Sequence, residues 1–358
     1  MNCQFVSAVF RVGLALAVAT VLWSVFLPVV LLPLIVGTAY CVNAYFTAKY
    51  ATREDPAGKF VLITGCDSGI GYETALAASK SGLKVFACCL DSTSSGACGL
   101  QERSSNVQVL QMDVTKTEDV EAAVNHVTKV CGSQGVFSLP GLWAVVNNAG
   151  FNYVAPLEVT SMETFQRLAD VMLFGTVRVT KGFLPLIRKA KGRVVTMSSD
   201  RGMLSCRNSA AYCIAKHGIE SFSDVLRLEM ADFEVSVSII QPGHFGAATN
   251  IINDKAVEVM RATIERDFHQ AGNDVQKVYG QKSIDKVVET CVASRMSSAR
   301  DLQPVTDAIL DAILSSKPAT RYPVHGMQGY LDWGIVLGHL RPMMPDRLMD
   351  RTMKIMHF

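Results

Sequence analysis

Charge is scarce in this chain: Asp, Glu, Lys and Arg make up 18% of its 358 residues. With 34 Lys+Arg against 32 Asp+Glu, the formal net charge is only +2. That is too little for the basic surface that nucleic acid requires, so no nucleic-acid partner is expected. Metal spacings are missing as well. No H-x-x-x-H pair and no C-x-x-C occurs, and metal catalysis is not expected. The ten cysteines lack a disulfide-type framework and there is no N-x-S/T acceptor, which leans toward a cytosolic placement of the bulk of the chain. Internal repeats and low-complexity tracts are absent. At 49% hydrophobic residues, intrinsic disorder is excluded.

The apolar residues are unevenly spread. From Val12 to Ala48 no residue is charged, a stretch longer than the roughly 20 residues that cross a bilayer as a helix. Pro28 and Pro33 interrupt it, so one kinked span and a helical hairpin both remain open. The run is too long for the core of a signal peptide and no small-residue cleavage site stands out. Residues 1–50 are therefore expected to form a membrane anchor. Its flanking charges, Arg11 on one side and Lys49 and Arg53 on the other, give only a thin topological signal. Residues 51–58 read as a polar linker.

Beyond the linker, short apolar runs alternate with longer amphipathic stretches. Phe60–Thr64, Val85–Cys89, Val107–Leu110, Leu142–Val146, Arg193–Met197 and Val235–Ile240 read as buried strands. Tyr72–Ser81, Thr117–Val130, Met162–Ala190 and Tyr212–Asp232 read as helices. Alternation of this kind predicts an α/β fold, a Rossmann-type doubly wound parallel sheet. The first strand runs into Thr64-Gly65-Cys66-Asp67-Ser68-Gly69-Ile70-Gly71 and then a helix. Glycines there let a pyrophosphate approach free N–H groups at the helix N-terminus. Gly65, Ser68, Gly69, Ile70 and Gly71 are the candidate cradle. Asp91, at the end of the second strand, suits a ribose with free hydroxyls and repels a 2′-phosphate. No Lys or Arg stands beside it or in the loop. NAD is favoured over NADP.

The Gly65/Gly69/Gly71 spacing resembles the short-chain dehydrogenase/reductase family, and further motifs agree in order. Asp113-Val114 is similar to the family's adenine contact, and Asn147-Asn148-Ala149-Gly150 to the motif that supports the central strands and lines the cofactor. Pro242-Gly243 resembles the turn beside the nicotinamide, with Thr249 at the carboxamide side. Tyr212-Cys213-Ile214-Ala215-Lys216 puts a phenol and an ammonium on one helix face. The resemblance implies that Tyr212 is the general acid/base, its phenolate favoured by the Lys216 ammonium and the oxidised nicotinamide. Lys216 would also hold the ribose. Ser199, thirteen residues before the tyrosine, would bind the substrate oxygen, with Ser198 as the fallback. One position departs from the family. Met172 stands where relatives carry an Asn that holds a relay water. Methionine cannot replace that amide, and the expectation is that another water chain carries the proton.

Whole phrases, among them Phe183–Arg193 and Ile240–Gly243, resemble the branch holding membrane-bound 17β- and 11β-hydroxysteroid, retinol and 3-hydroxybutyrate dehydrogenases. The resemblance implies an NAD-dependent alcohol dehydrogenase. The anchor favours a lipid-like substrate, a steroid first, with hydroxybutyrate and retinol as alternatives and a non-catalytic NAD-binding membrane protein as the rival class. Residues 59–250 would be the catalytic core and 251–358 its substrate-binding extension. The apolar, methionine-rich tail would cover a substrate, lie on the bilayer or simply pack as core. The expected location is the endoplasmic reticulum membrane, with the mitochondrial membrane as alternative, and a homodimer through the two long helices follows the family habit.

Overall fold

The computed structural model describes residues 13–21, 23–24, 31, 34–39, 42, 51–133, 141–328 and 331–356. The chain divides into two units between Arg53 and Glu54. In the first, residues 13–21 and 34–39 are helical, and their apolar side chains, Leu14, Leu16, Leu34 and Ile35 among them, are exposed. Among the described residues, no helix is long and apolar enough to cross a membrane. Much of the anchor expected over residues 1–50 lies outside the described residues.

The second unit is a seven-stranded parallel sheet. Its strands are β1 Phe60–Thr64, β2 Lys84–Cys89, β3 Val107–Gln111, β4 Ala144–Asn147, β5 Arg193–Met197, β6 Ser236–Pro242 and β7 Arg321–Val324. They lie in the order β3-β2-β1-β4-β5-β6-β7. The chain reverses its direction of travel between β1 and β4, which opens a crevice beyond their carboxyl ends. Central strands are buried on both faces, β1 and β5 along their whole length, and so read as continuous apolar runs. The seventh strand, Arg-Tyr-Pro-Val, escapes the sequence pattern because it is short and holds a proline. An edge strand tolerates Pro323 because one side of it needs no ladder hydrogen bond.

Helices cover both faces: α1 Gly69–Lys80, α2 Ser95–Arg103, α3 Thr117–Ser133, α4 Met162–Ala169, α5 Gly175–Ala190 and α6 Ala210–Met230. The expected single helix Met162–Ala190 is interrupted by a π-turn at Asp170–Phe174. Gly175 follows it because a Cβ there would lie 2.8 Å from Val114 Cγ2. The remainder is helical: α7 Asp254–Gln270, α8 Asn273–Ala293, α9 Gln303–Leu314, α10 Trp333–Leu340 and α11 Asp346–Ile355. One core cluster joins β1, β2 and β4 to α1 and α9, and a second fills the opposite face under α3 and α5. A third links Leu168, Met172 and Ile219 to Met260, Ile264 and Val288 of α7 and α8. The tail packs in a small cluster of Leu204, Leu337 and Met349 with Met344, Met353 and Met356 around it.

Candidate active site

The loop after β1 is shaped by close backbone approach. Gly65 has φ 68° and Gly69 φ 60°, a region that other residues avoid. A Cβ on Gly65 would lie 2.9 Å from Ala149 Cα. The loops after β1 and β4 are locked together. Thr64 Oγ1 accepts from the N–H groups of Asn148 at 2.9 Å and Ala149 at 3.0 Å. Asn148 Nδ2 donates back to Thr64 O at 2.9 Å and Gly65 O at 3.2 Å. Beneath the loop, burial pushes the Cys66 and Cys88 thiols up, and Cys89 up to about 12. These cysteines are inert at neutral pH.

A cavity of about 2020 Å³ runs from this loop across the sheet's carboxyl edge. Its lining brings together Gly65, Ser68, Gly69, Ile70, Asp113 and Val114 from one side of the crevice. Asn148, Ala149, Gly150, Pro242, Gly243 and Thr249 line the other side, with Ser199, Tyr212 and Lys216 between. Two of the sequence-derived positions are not in the lining. Gly71 is buried beneath the loop, and Asp91 is exposed next to Leu90, which does line the cavity. Thr93 fixes the Asp91 carboxylate through its N–H at 2.8 Å and its hydroxyl at 2.7 Å, which lowers that carboxyl below its ordinary value.

Tyr212 and Lys216 share the α6 face that meets the end of β5. Lys216 Nζ lies 5.6 Å from the Tyr212 ring centre and donates to Met197 O at 2.8 Å. Burial pulls Lys216 down to about 8, with Glu220 resisting. Burial pushes the Tyr212 phenol above its ordinary range and Asp200 adds to this, while a Ser199 hydrogen bond and Arg201 oppose. The lowered phenol expected from the sequence belongs to a site that also holds the nicotinamide charge. Ser199, in extended backbone, caps a 3₁₀ turn at Asp200–Gly202. Ser198 Oγ is buried without a hydrogen-bond partner and would sit 2.3 Å from a Cβ on Gly202. Met172 is fully buried, and its Cγ would lie 3.2 Å from a Cβ on Gly150. The described residues contain no group of three or more His, Cys, Asp or Glu placed to hold a metal.

Sequence reasoning misses three carboxylates here. Asp67 accepts from the N–H groups of Leu90 at 3.0 Å and Asp91 at 3.2 Å, joining the glycine loop to the end of β2. Asp332, buried, accepts from Gly326 N at 3.0 Å, His244 N at 3.3 Å and Gly334 N at 3.1 Å. It pins the start of α10 to the turn after β6. Asp200 sits against Ser199. Only the Asp332-x-Gly334 helix start carries a local signal, an N-cap pattern; the other two contacts are non-local or look like ordinary turn residues.

The cradle fits NAD. Its glycines leave space that a Cβ would fill, and the residues Asp67 and Asp91 meet at the end of β2, where the Asp67 carboxylate accepts from the N–H groups of Leu90 and Asp91. The model of the short chain dehydrogenase family matches residues 59–257. The chain belongs to the short-chain dehydrogenase family, and it is an alcohol dehydrogenase whose cofactor is NAD. It is 40% identical over 306 residues to a mitochondrial D-beta-hydroxybutyrate dehydrogenase of Bos taurus, covering 84% of this chain and 86% of the relative. Retinol dehydrogenase 7 of Mus musculus is 39% identical, covering 74% and 79%. The 17-beta-hydroxysteroid dehydrogenase type 6 of Bos taurus is 38% identical, covering 74% and 80%. A solved short-chain dehydrogenase from Streptomyces avermitilis shares the fold, with a TM-score of 0.55 at 23% identity over 84% of this chain and 98% of that one.

Proposed function

We propose that the chain oxidises a secondary alcohol of a lipid-like substrate, a hydroxysteroid first, or reduces the matching ketone. The observation that carries this is the cavity. At about 2020 Å³ it exceeds the roughly 300–1,000 Å³ of ordinary ligand pockets, which leaves space beyond a dinucleotide. Beyond the residues assigned to the dinucleotide, its lining includes the apolar side chains of Phe151, Val154, Leu168, Met172, Val259 and Met260, with Arg167, Arg207 and Lys286 also on it. A four-carbon hydroxy acid needs no such apolar lining. Met353 and Met356 of the tail also line it, which supports a covering role for those two methionines, whereas Met343 is exposed. The 251–358 segment is thus proposed as the substrate-binding extension of the 59–250 core.

In this reading the loop at Gly65–Gly71 holds the pyrophosphate, Asp91 the adenosine ribose, and Asp113 and Val114 flank the adenine. Lys216 holds the second ribose, and Asn148, Ala149, Gly150, Pro242, Gly243 and Thr249 enclose the nicotinamide end. NAD, when bound, supplies hydride exchange with the substrate carbon. Tyr212 takes the proton of the substrate hydroxyl or returns it to the ketone oxygen, and Ser199 holds that oxygen. Buried Lys216 offers its ammonium to the phenolate as Tyr212 ionises.

Residues 1–50 are proposed as the anchor, supported by the uncharged run Val12–Ala48 and the exposed apolar side chains there. The proposed membrane is the endoplasmic reticulum, with the catalytic domain on the cytosolic face. A relative named as mitochondrial makes the mitochondrial membrane the second outcome of a fractionation. Exposed Phe174, Val225 and Leu228 on the helices near the π-turn and on α6 support a homodimer.

The test is NADH formation by detergent-solubilised protein offered 17β-hydroxysteroids, retinol and 3-hydroxybutyrate. A hydroxysteroid or retinol is expected to turn over, and Tyr212→Phe is expected to abolish this while NADH still binds. Turnover of 3-hydroxybutyrate alone overturns the substrate class. Retained turnover in Tyr212→Phe overturns the role of the tyrosine.

A further inference from the structure

The buried face of α6 carries a carboxylate that the mechanism above does not use. Glu220 follows Lys216 by four residues, so the two lie on one face of the helix, one turn apart. Lys216 is 5% exposed and Glu220 8%. The turn after β5 rests directly on this stretch of α6. A Cβ on Gly202 would lie 3.1 Å from Lys216 O and 3.2 Å from Glu220 Cγ. Charges kept from water in this way act on one another more strongly than exposed ones. The far half of the sheet fixes Glu220. Its Oε1 accepts from Gln241 Nε2 of β6 at 3.0 Å, and its Oε2 from Arg321 Nε of β7 at 3.2 Å. Gln241 is fully buried, and Arg321 also donates to Asp224 at 2.7 Å, one turn further along α6. One donor on each oxygen therefore holds the carboxylate in place.

Resting on the reading that Lys216 holds the second ribose and supports the Tyr212 phenolate, we propose that Glu220 is a positioning residue that acts through Lys216. Its fixed negative charge keeps Lys216 an ammonium inside the protein, and β6 and β7 supply the side chains that hold that charge. A neutral amine has no charge to offer a phenolate. It also gives weaker hydrogen bonds to ribose hydroxyls than an ammonium does.

Each element around Lys216 has been weighed for charge. The end of β5 gives the Met197 carbonyl, which accepts from Lys216 at 2.8 Å. Tyr212 and Glu220 stand on the same face of α6. The turn after β5 carries Asp200 and Arg201, 3.8 Å from one another. The π-turn carries Asp170, paired with Arg178 at 3.1 Å. Glu163 and Arg167 of α4 are exposed, and Gln241 and Arg321 are bound to Glu220. Burial drives Lys216 toward the neutral amine, and Glu220 is the charge that opposes this.

Glu220→Gln and Glu220→Asp in the full chain test this. The first removes the charge at nearly constant shape, and the second keeps the charge on a shorter side chain. Two readouts follow Lys216. One is the NADH dissociation constant against pH. The other, without cofactor, is the rate of Lys216 acetylation by acetic anhydride against pH, read by mass spectrometry. Both are expected to turn at about pH 8 in the parent. In Glu220→Gln both midpoints are expected to fall by about one pH unit. NADH then binds up to about fivefold more weakly at the parent's midpoint, the ratio of the two ammonium fractions. Glu220→Asp is expected to return both midpoints at least halfway to the parent's. A structural role alone predicts the reverse order, with the shortened Asp more damaging than the isosteric Gln and neither midpoint moved. Unmoved midpoints in Glu220→Gln, with Lys216→Met still weakening NADH, overturn this proposal alone. NADH binding unchanged in Lys216→Met overturns the role given to Lys216 above, and this inference with it. Circular dichroism establishes that the variants fold; if Glu220→Gln does not, Glu220→Met carries the same comparison.

Discussion

Gly71 lies so close beneath Gly65 that a Cβ built on it would be 2.3 Å from the Gly65 carbonyl oxygen and 2.6 Å from Asn148 Nδ2. The first turn of α1 thus rests directly on the loop that it follows. That loop in turn is tied through Asn148 and Thr64 to the end of β4. A methyl group at position 71 has backbone on one side and a hydrogen-bonded amide on the other, so neither neighbour yields cheaply.

Gly71→Ala is accordingly expected to cost about 2 kcal/mol of stability and to weaken NADH binding at least about tenfold, because the cradle itself is displaced. Thermal melts and NADH fluorescence titration check the two effects separately. A melt and an affinity both unchanged would mean that the loop relaxes without cost.

Asp91 is held by Thr93 and exposed beside the cavity. Asp91→Ser removes the carboxylate proposed to oppose a 2′-phosphate while keeping a polar residue. The ratio of kcat/KM for NADP to that for NAD is expected to rise about tenfold or more. Steady-state kinetics with both cofactors measures it, and an unchanged ratio would shift the discrimination to Asp67.

Lys216 is pulled to about 8 by burial, below the ordinary lysine value of about 10.4. The folded chain therefore binds fewer protons here than the unfolded chain between these two values, and this group's penalty on stability is relieved as pH rises through that window. Below pH 8 the penalty is fully present. Function is expected to run the other way, because the ammonium proposed to hold the ribose is lost over the same range. The dissociation constant of NADH is expected to rise as pH climbs past about 8, and in Lys216→Met to be weaker throughout and flat across that window. Titrations at several pH values decide this.

Asp332 is 3% exposed and serves backbone N–H groups of Gly326, His244, Gly334 and Ile335. Asp332→Ala strands those donors and is expected to cost about 3 kcal/mol. The start of α10 would come away from the turn after β6, so substrate KM is expected to rise more than NADH affinity falls. A melt together with separate KM and NADH measurements checks the order of the two effects.

The family and most of the candidate residues that line the cavity are legible in the sequence for local reasons. A glycine cradle is a property of consecutive backbone conformations, and Tyr212 and Lys216 are joined by one helical turn. Five buried strands announce themselves as short apolar runs because the sheet is covered on both faces, whereas β3, expected to be buried as well, lies at the sheet edge with only Val107 buried. The seventh strand, the π-turn at Asp170–Phe174 and the packing of the tail leave no such mark. Asp332 reaches back to His244 across 88 positions, and Asp200 is one more polar residue after a strand until Gly334 of α10 arrives beside it. Local pattern determined which groups are candidates for the chemistry. Only the tertiary structure decided that the carboxylate beside Ser199 is buried, because that burial depends on Gly334 of α10 arriving against Asp200 from far along the chain.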